Sequence, residues 1–140
     1  MKKIFFIPLF LLVSFSTFAS ENQVILSHGW IKQLPPVVPM RAGYFKIQNN
    51  RNQPVEIVSI SSPDFSKIEI HKTEQINGVM KMTELDNLTV PAKENLAFEP
   101  GGLHLMMFDP AKTAKLDYKS SITIHYRNLS PQTFPMVVKK

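Results

Sequence analysis

The sequence predicts an all-β fold, a sandwich or barrel built from many short strands in a single domain. Apolar and polar residues alternate with a period of two along most of the chain, which is typical of half-buried strands. Pro, Gly, Asn and Asp residues bound these runs, and no window of about eleven residues or more shows a 3.6-residue repeat. Short strands at such close spacing favour a sandwich or barrel over a helical fold.

The alternation also predicts where the strands lie. They are expected at residues 24–33, 43–49, 55–61, 67–73, 79–85, 88–90, 103–108, 121–126 and 133–138. Three prolines between Leu34 and Met40 predict an irregular connection after the first strand, and 49–54 is expected to form a turn.

The N-terminal segment has the features of a secretory signal and is not expected to belong to the fold. Two lysines precede an apolar stretch, and Thr17-Phe18-Ala19 resembles a cleavage site. Pro8 and later hydroxyl residues interrupt the apolar run, which falls short of the ~20 residues that a membrane-spanning helix needs. We therefore predict a cleaved signal peptide over 1–19, one domain over 20–140, a periplasmic location, and no membrane span in the mature chain.

Composition excludes several classes of function. The chain has 140 residues, of which 44% are hydrophobic, and this is enough for one buried core. Two of the sixteen basic residues leave with the signal, so the mature charge is only +3, and the basic residues are scattered; nucleic acid is not an expected partner. There is no cysteine, which rules out disulfides, thiolate nucleophiles and the His₂Cys centre of electron-transfer copper proteins.

The strand predicted at 103–108 carries two candidate metal ligands on one face. His104 and Met106 are separated by one residue, so their side chains project from the same side, about 6.6 Å apart along the strand. Leu103, Leu105 and Met107 project from the opposite side, which we expect to face the core. The alternation thus separates the adjacent methionines, with Met107 in the core and Met106, like His104, on the wetter side.

A second pair of candidates flanks a predicted hairpin. Asn77-Gly78 between two strand-like runs is the strongest short signal for a two-residue type I′ turn. In that register His71 lies diagonally across from Met82, at about 7–8 Å between α-carbons. Met80 shares the face but lies further along and is the poorer partner. Each residue alone is more often packed or merely solvated; two imidazoles and two thioethers together make a metal site a serious alternative.

The spacing of these four residues, H-x10-M-x21-H-x-M, resembles the copper motif of the PCu(A)C family of periplasmic copper chaperones. The similarity extends to Trp30, to Ala42-Gly43-Tyr44-Phe45 and to Pro100-Gly101-Gly102 before His104, and it covers nearly the whole mature chain. The resemblance implies a cupredoxin-like Greek-key sandwich or barrel that binds one Cu(I), and we expect a monomer. The implied ligands are the motif residues His71, Met82, His104 and Met106.

The same resemblance implies a task. Members of the family supply Cu(I) for assembly of the copper centre of a terminal cytochrome c oxidase, so the implied acceptor is an oxidase copper-site subunit or another assembly chaperone. Some members carry a His- and Met-rich C-terminal tail with a Cu(II) site; this chain ends without one, and no tail site is expected. His28 and His125 lie outside the motif and are predicted to be structural or solvated, while Met40 and Met136 are predicted to pack.

Ligand chemistry agrees with copper. Soft thioethers select Cu(I), whereas imidazole suits both copper and zinc. Since none of the four ligands is anionic, a divalent ion would lose its water without a carboxylate or thiolate to offset the charge, and we expect little competition from Zn²⁺. No catalytic dyad is evident, which disfavours a copper redox enzyme. Copper buffering or resistance would use the same ligands as delivery, and the sequence leaves those two functions open.

Overall fold

The computed structural model describes residues 23–111 and 118–140, and within them it contains ten strands and no helix. The segment predicted as a signal peptide lies outside the described residues. The strands are β1 (Val24–Lys32), β2 (Met40–Asn49), β3 (Val55–Ser61), β4 (Phe65–Ile76), β5 (Val79–Leu85), β6 (Leu88–Val90), β7 (Asn95–Phe98), β8 (Leu103–Pro110), β9 (Lys119–Tyr126) and β10 (Gln132–Lys139).

All ten strands belong to one hydrogen-bonded sheet. Their order is β5-β4-β8-β7-β2-β1-β10-β9-β3-β6, and β8 also pairs with β2. Two of the pairings, β1 with β10 and β7 with β8, are parallel, and the others are antiparallel. The all-β prediction is therefore confirmed. No helix in the described part of the chain has the length and hydrophobicity needed to cross a membrane.

A single hydrophobic core holds the sheet together. Every strand except β5 contributes buried apolar side chains to it, and the largest of them include Phe45, Ile47, Ile57, Leu105, Met107 and Ile122. Strands from both ends of the hydrogen-bonding order meet in this one cluster, so the sheet curls around it and packs on itself. β5 instead runs along the margin of the core, with residues that are exposed or half-buried.

The predicted strands are all present, with ends that differ by up to three residues, but β7 was not predicted. Its four residues, Asn95–Phe98, are too few to show a clear alternation. β7 exists because it pairs with the second half of β2, where Phe98 lies opposite Phe45 and the two rings stack at 4.2 Å between centroids. A contact between distant parts of the chain defines this strand.

The predicted hairpin between β4 and β5 is confirmed. Asn77 and Gly78 both have positive φ angles, 51° and 80°, as a type I′ turn requires. The turn sets the register, so that Ile76 pairs with Val79 and Thr73 pairs with Met82. One-residue slippage would move every side chain of β5 to the other face. The turn therefore decides which side chains of β5 stand beside His71.

Candidate metal centre

Three adjacent strands carry the four predicted ligands, with β4 between β5 and β8. His71 on β4 lies directly opposite His104 on β8, and the two imidazole rings are 5.8 Å apart between centroids, tilted by 43°. On the other side of β4, Met82 is the partner of Thr73, one diagonal step from His71. Met106 is the partner of Glu69 and so also lies diagonal to His71. Directly paired residues share a face of a sheet, so all four side chains lie on one side.

The prediction that separated the adjacent methionines is confirmed. Met107 is fully buried in the core, and its sulfur lies so near Gly43 that a Cβ built there would approach it to 2.8 Å. Met106 is half-buried on the opposite face, together with His104. Substitutions at these two positions should therefore report on different properties of the protein.

His104 lies on the predicted face of β8. The expectation that its side chain is exposed to solvent there is wrong, because His104 is only 8% exposed. This part of the sheet borders a cleft of about 310 Å³, to which β2 and the connection before it also contribute. Its lining residues are Leu34, Met40, Arg41, Ala42, Tyr44, Thr73, Met82, Pro100, Gly101, His104, Leu105 and Met106. Three of the four candidate ligands line this mostly apolar cleft.

The four ligands differ strongly in their exposure. Met82, on the marginal strand β5, is 52% exposed. The side chain of His71 is only 12% exposed, and His104 and Met106 are buried and half-buried. An incoming ligand group would thus meet Met82 first and the histidines last.

A buried arginine holds one wall of the cleft in place. Arg41 is 2% exposed and lies opposite Met107 in the β2–β8 pairing. Its Nη1 donates hydrogen bonds to the carbonyl oxygens of Val38, at 2.7 Å, and Met40, at 2.8 Å. These bonds satisfy one carbonyl group of the connection that leads into β2 and one of the first residue of β2. The irregular segment predicted between Leu34 and Met40 is therefore tied to the strand that flanks the site.

The His71 ring is hydrogen-bonded to the nearer of two charged side chains that precede it on its own strand. Its Nε2 lies 2.8 Å from a carboxylate oxygen of Glu69, and the other oxygen of Glu69 is paired with the Lys67 ammonium group. Lys67 first, and His71 second, hold the pKa of Glu69 below its ordinary value. The remaining ring nitrogen, Nδ1, is buried and has no hydrogen-bond partner among the described residues.

Two carboxylates near His71 were missed by the sequence argument, which considered only the charges of the four proposed ligands. Donor atoms of Glu69, His71 and Glu84 all lie within 4.8 Å of one another. The sequence pattern could have predicted both acidic residues near His71. Glu69 precedes His71 by two residues on the same face, and the hairpin register places Glu84 opposite His71. The four neutral candidate ligands therefore lie beside a second group of possible metal ligands, the carboxylates of Glu69 and Glu84, and both groups include the imidazole of His71.

The other singled-out residues lie elsewhere or behave differently. His28 is exposed at an irregularity of β1, with Nδ1 3.0 Å from the Ser27 hydroxyl, and His125 on β9 lies 3.0 Å from the Ser61 hydroxyl. Met136 is fully buried, as predicted. Met40 lines the ligand-bearing cleft, so its packing partners include the site itself.

Comparison with known proteins places the chain among bacterial relatives. It is 26% identical over 117 residues to "Putative lipoprotein Lxx21020" of Leifsonia xyli subsp. xyli, a match that covers 83% of this chain and 69% of the relative. It is 40% identical over 70 residues to "Uncharacterized protein RP573" of Rickettsia prowazekii, covering 49% of this chain. The match spans only 39% of the length of the Rickettsia relative.

Solved structures share the fold at low identity. The "Copper-bound PCuAC domain from PmoF2" superposes with a TM-score of 0.70 at 18% identity, over 83% of this chain and 92% of that one. CuI-DR1885 from Deinococcus radiodurans superposes with a TM-score of 0.71 at 23% identity, over 87% of this chain and 82% of that one. These likenesses confirm the predicted cupredoxin-like class of fold.

A protein-family comparison covers most of the described chain. The model of the LpqE-like family, described as "Putative lipoprotein LpqE-like", matches residues 24–138. This range runs from the first residue of β1 to the penultimate residue of β10 and includes all three strands of the candidate site. The chain belongs to the LpqE-like family.

Proposed function

We propose that this protein is a copper metallochaperone of the periplasm that carries one Cu(I) on His71, Met82, His104 and Met106. The observation that supports the proposal best is the convergence of two imidazoles and two thioethers on one face of β5, β4 and β8. Soft sulfur ligands select Cu(I), and neutral ligands suit a singly charged ion in mostly apolar surroundings. Two of the solved structures with this fold are described by name as copper-bound or as the CuI form.

The graded exposure of the ligands suits transfer. Met82 is half-exposed, so an acceptor ligand can displace it without unfolding the site. The histidines lie deeper and would release the ion last. Copper would therefore leave by stepwise ligand exchange through the open side of the cleft. Such a carrier needs no catalytic group, and we propose that the protein is not an enzyme.

The coordination shell gives the direct test of the cargo. X-ray absorption on the reduced, copper-loaded protein should show one copper with both sulfur and nitrogen neighbours. The carboxylates of Glu69 and Glu84 make Zn²⁺ the competitor to include, because oxygen and nitrogen ligands suit it. Retention of Cu(I) in an excess of Zn²⁺ supports the proposal. A shell of nitrogen and oxygen only would contradict it.

Met82 and Met80 form a matched pair for testing the hairpin side of the site. Both are exposed methionines on the same face of β5, but Met80 pairs with Gln75, one step further from His71. We expect Met82→Leu to weaken Cu(I) binding by about tenfold or more, which corresponds to about 1.4 kcal/mol, and Met80→Leu to leave it nearly unchanged. Competition with a Cu(I) chelator measures both. Equal losses of Cu(I) affinity in the two variants would mean that the assignment of Met82 as the sulfur ligand is wrong.

The destination of the copper is tested in cells. We propose that the acceptor is the copper-site subunit of a terminal oxidase or another assembly chaperone. Deletion of the gene should then lower oxidase activity at low copper, and the wild-type gene, but not a Met82/Met106 double leucine variant, should restore it. Normal oxidase activity combined with greater sensitivity to excess copper would favour the alternative, periplasmic copper buffering.

A further inference from the structure

The proton on His71 can be located from its hydrogen bond. Nε2 lies 2.8 Å from Oε2 of Glu69, and an ionised carboxylate can only accept. Lys67 pairs with the other oxygen of Glu69, which favours the ionised form and fixes the carboxylate in place. Nε2 must therefore be the donor, and in the neutral ring the lone pair then lies on Nδ1.

That lone pair belongs to one of two buried side-chain polar atoms without a hydrogen-bond partner among the described residues, the other being Nε of Arg41. Nδ1 of His71 is buried without a hydrogen bond among the described residues, and leaving a buried polar atom unsatisfied is unfavourable. Such atoms are uncommon in native proteins and call for an explanation. A metal ion on Nδ1 would supply the missing partner.

His104 shows the opposite arrangement. Its Nδ1 lies 3.1 Å from the carbonyl oxygen of Gly102, which can only accept a hydrogen bond. Nδ1 is therefore protonated, and the lone pair of neutral His104 lies on Nε2. The Gly102 carbonyl, two residues away, thus fixes the position of the proton on His104, just as the Glu69 carboxylate, two residues away, fixes it on His71.

We propose that Glu69, anchored by Lys67, is a positioning residue that directs His71 to bind copper through Nδ1, while the Gly102 carbonyl directs His104 to bind through Nε2. The inference rests on the proposed function, because it takes Cu(I) as the ion that both rings hold. A carboxylate behind a metal-binding imidazole fixes the tautomer and the ring orientation and raises ligand basicity. Glu69 acts through its hydrogen bond to the ring and not as a copper ligand, since both of its oxygens are already engaged.

Glu84 provides a matched control for charge. Its carboxylate lies within the same 4.8 Å group as Glu69, but it has no hydrogen bond to His71. Replacing either residue by glutamine removes one negative charge beside the ring. Only Glu69→Ala removes the acceptor of the Nε2 proton altogether, whereas Glu69→Gln keeps an oxygen that can take its place.

Nitrogen NMR on the whole protein tests the assignment of the binding atoms. In the metal-free protein with neutral imidazoles, two-bond ¹H–¹⁵N spectra should show the proton on Nε2 of His71 and on Nδ1 of His104. Adding Cu(I) should then shift Nδ1 of His71 and Nε2 of His104. A proton on Nδ1 of His71 before copper is added, or a copper shift at its Nε2, would overturn the inference. Cu(I) that shifts neither ring would instead count against the proposed function.

The affinity series tests the role of Glu69. We expect Glu69→Ala to weaken Cu(I) binding by about 10–100-fold, the usual effect of losing such a partner. Glu69→Gln should recover part of that loss, and Glu84→Gln should bind like the wild type. An equal loss in the two glutamine variants would mean that charge alone matters, and wild-type binding by Glu69→Ala would remove Glu69 from the site. Either result would overturn the proposal.

Discussion

Met107→Ala is expected to destabilise the protein by about 2–5 kcal/mol, the usual cost of truncating a buried methionine. Met107 is 0% exposed and packs in the single core beneath the site, close to Gly43. The lost contacts and the cavity left behind both lower the free energy of unfolding. Cu(I) affinity should change little, because the side chain points away from the ligand face. Chemical denaturation and a Cu(I) competition titration measure the two quantities.

Met106→Leu is the reciprocal variant on the neighbouring residue. The change conserves volume at a half-buried position, so it should cost less than about 1.5 kcal/mol in stability. It removes the thioether sulfur and should weaken Cu(I) binding by about tenfold or more, or about 1.4 kcal/mol. If Met107→Ala abolishes binding while Met106→Leu does not, the assignment of the two faces of β8 is wrong for the metal-loaded protein.

Replacement of either central histidine by alanine is expected to give the largest loss of copper affinity. His71 and His104 face each other across the β4–β8 pairing and supply both imidazoles of the proposed set. Removal of a direct ligand should cost at least as much as removal of a supporting residue, so the affinity should fall by about 100-fold or more. Anaerobic competition with a Cu(I) chelator measures the loss, and circular dichroism of the metal-free variants checks their fold.

The remaining histidines are the controls for that experiment. His28 lies at an irregularity of β1, and His125 lies on β9 beside Ser61, so neither belongs to the three strands of the site. Alanine at these positions should leave the Cu(I) affinity unchanged. A loss in His125→Ala as large as that in His104→Ala would indicate a binding site on another part of the sheet.

Local patterns in the sequence were sufficient for most of the strands and for one half of the site. Alternation located the strands, because it depends only on the period of the side chains. The Asn77-Gly78 turn set the β4–β5 register, and with it the diagonal approach of His71 to Met82. The same register contained Glu84 opposite His71, so this carboxylate could have been found before the fold was known. The metal-binding role of the four residues stays a prediction.

Sequence alone determined the all-β class, the hairpin and the division of Met106 from Met107, since each follows from backbone geometry within a few residues. Only the tertiary structure decided that β4 lies beside β8, which brings His71 opposite His104 across 33 residues of chain. It also decided that His104 is buried beside a cleft that residues of β2 help to line, and that β7 exists. These features depend on pairing between distant segments, which is set by the shared core rather than by any local pattern.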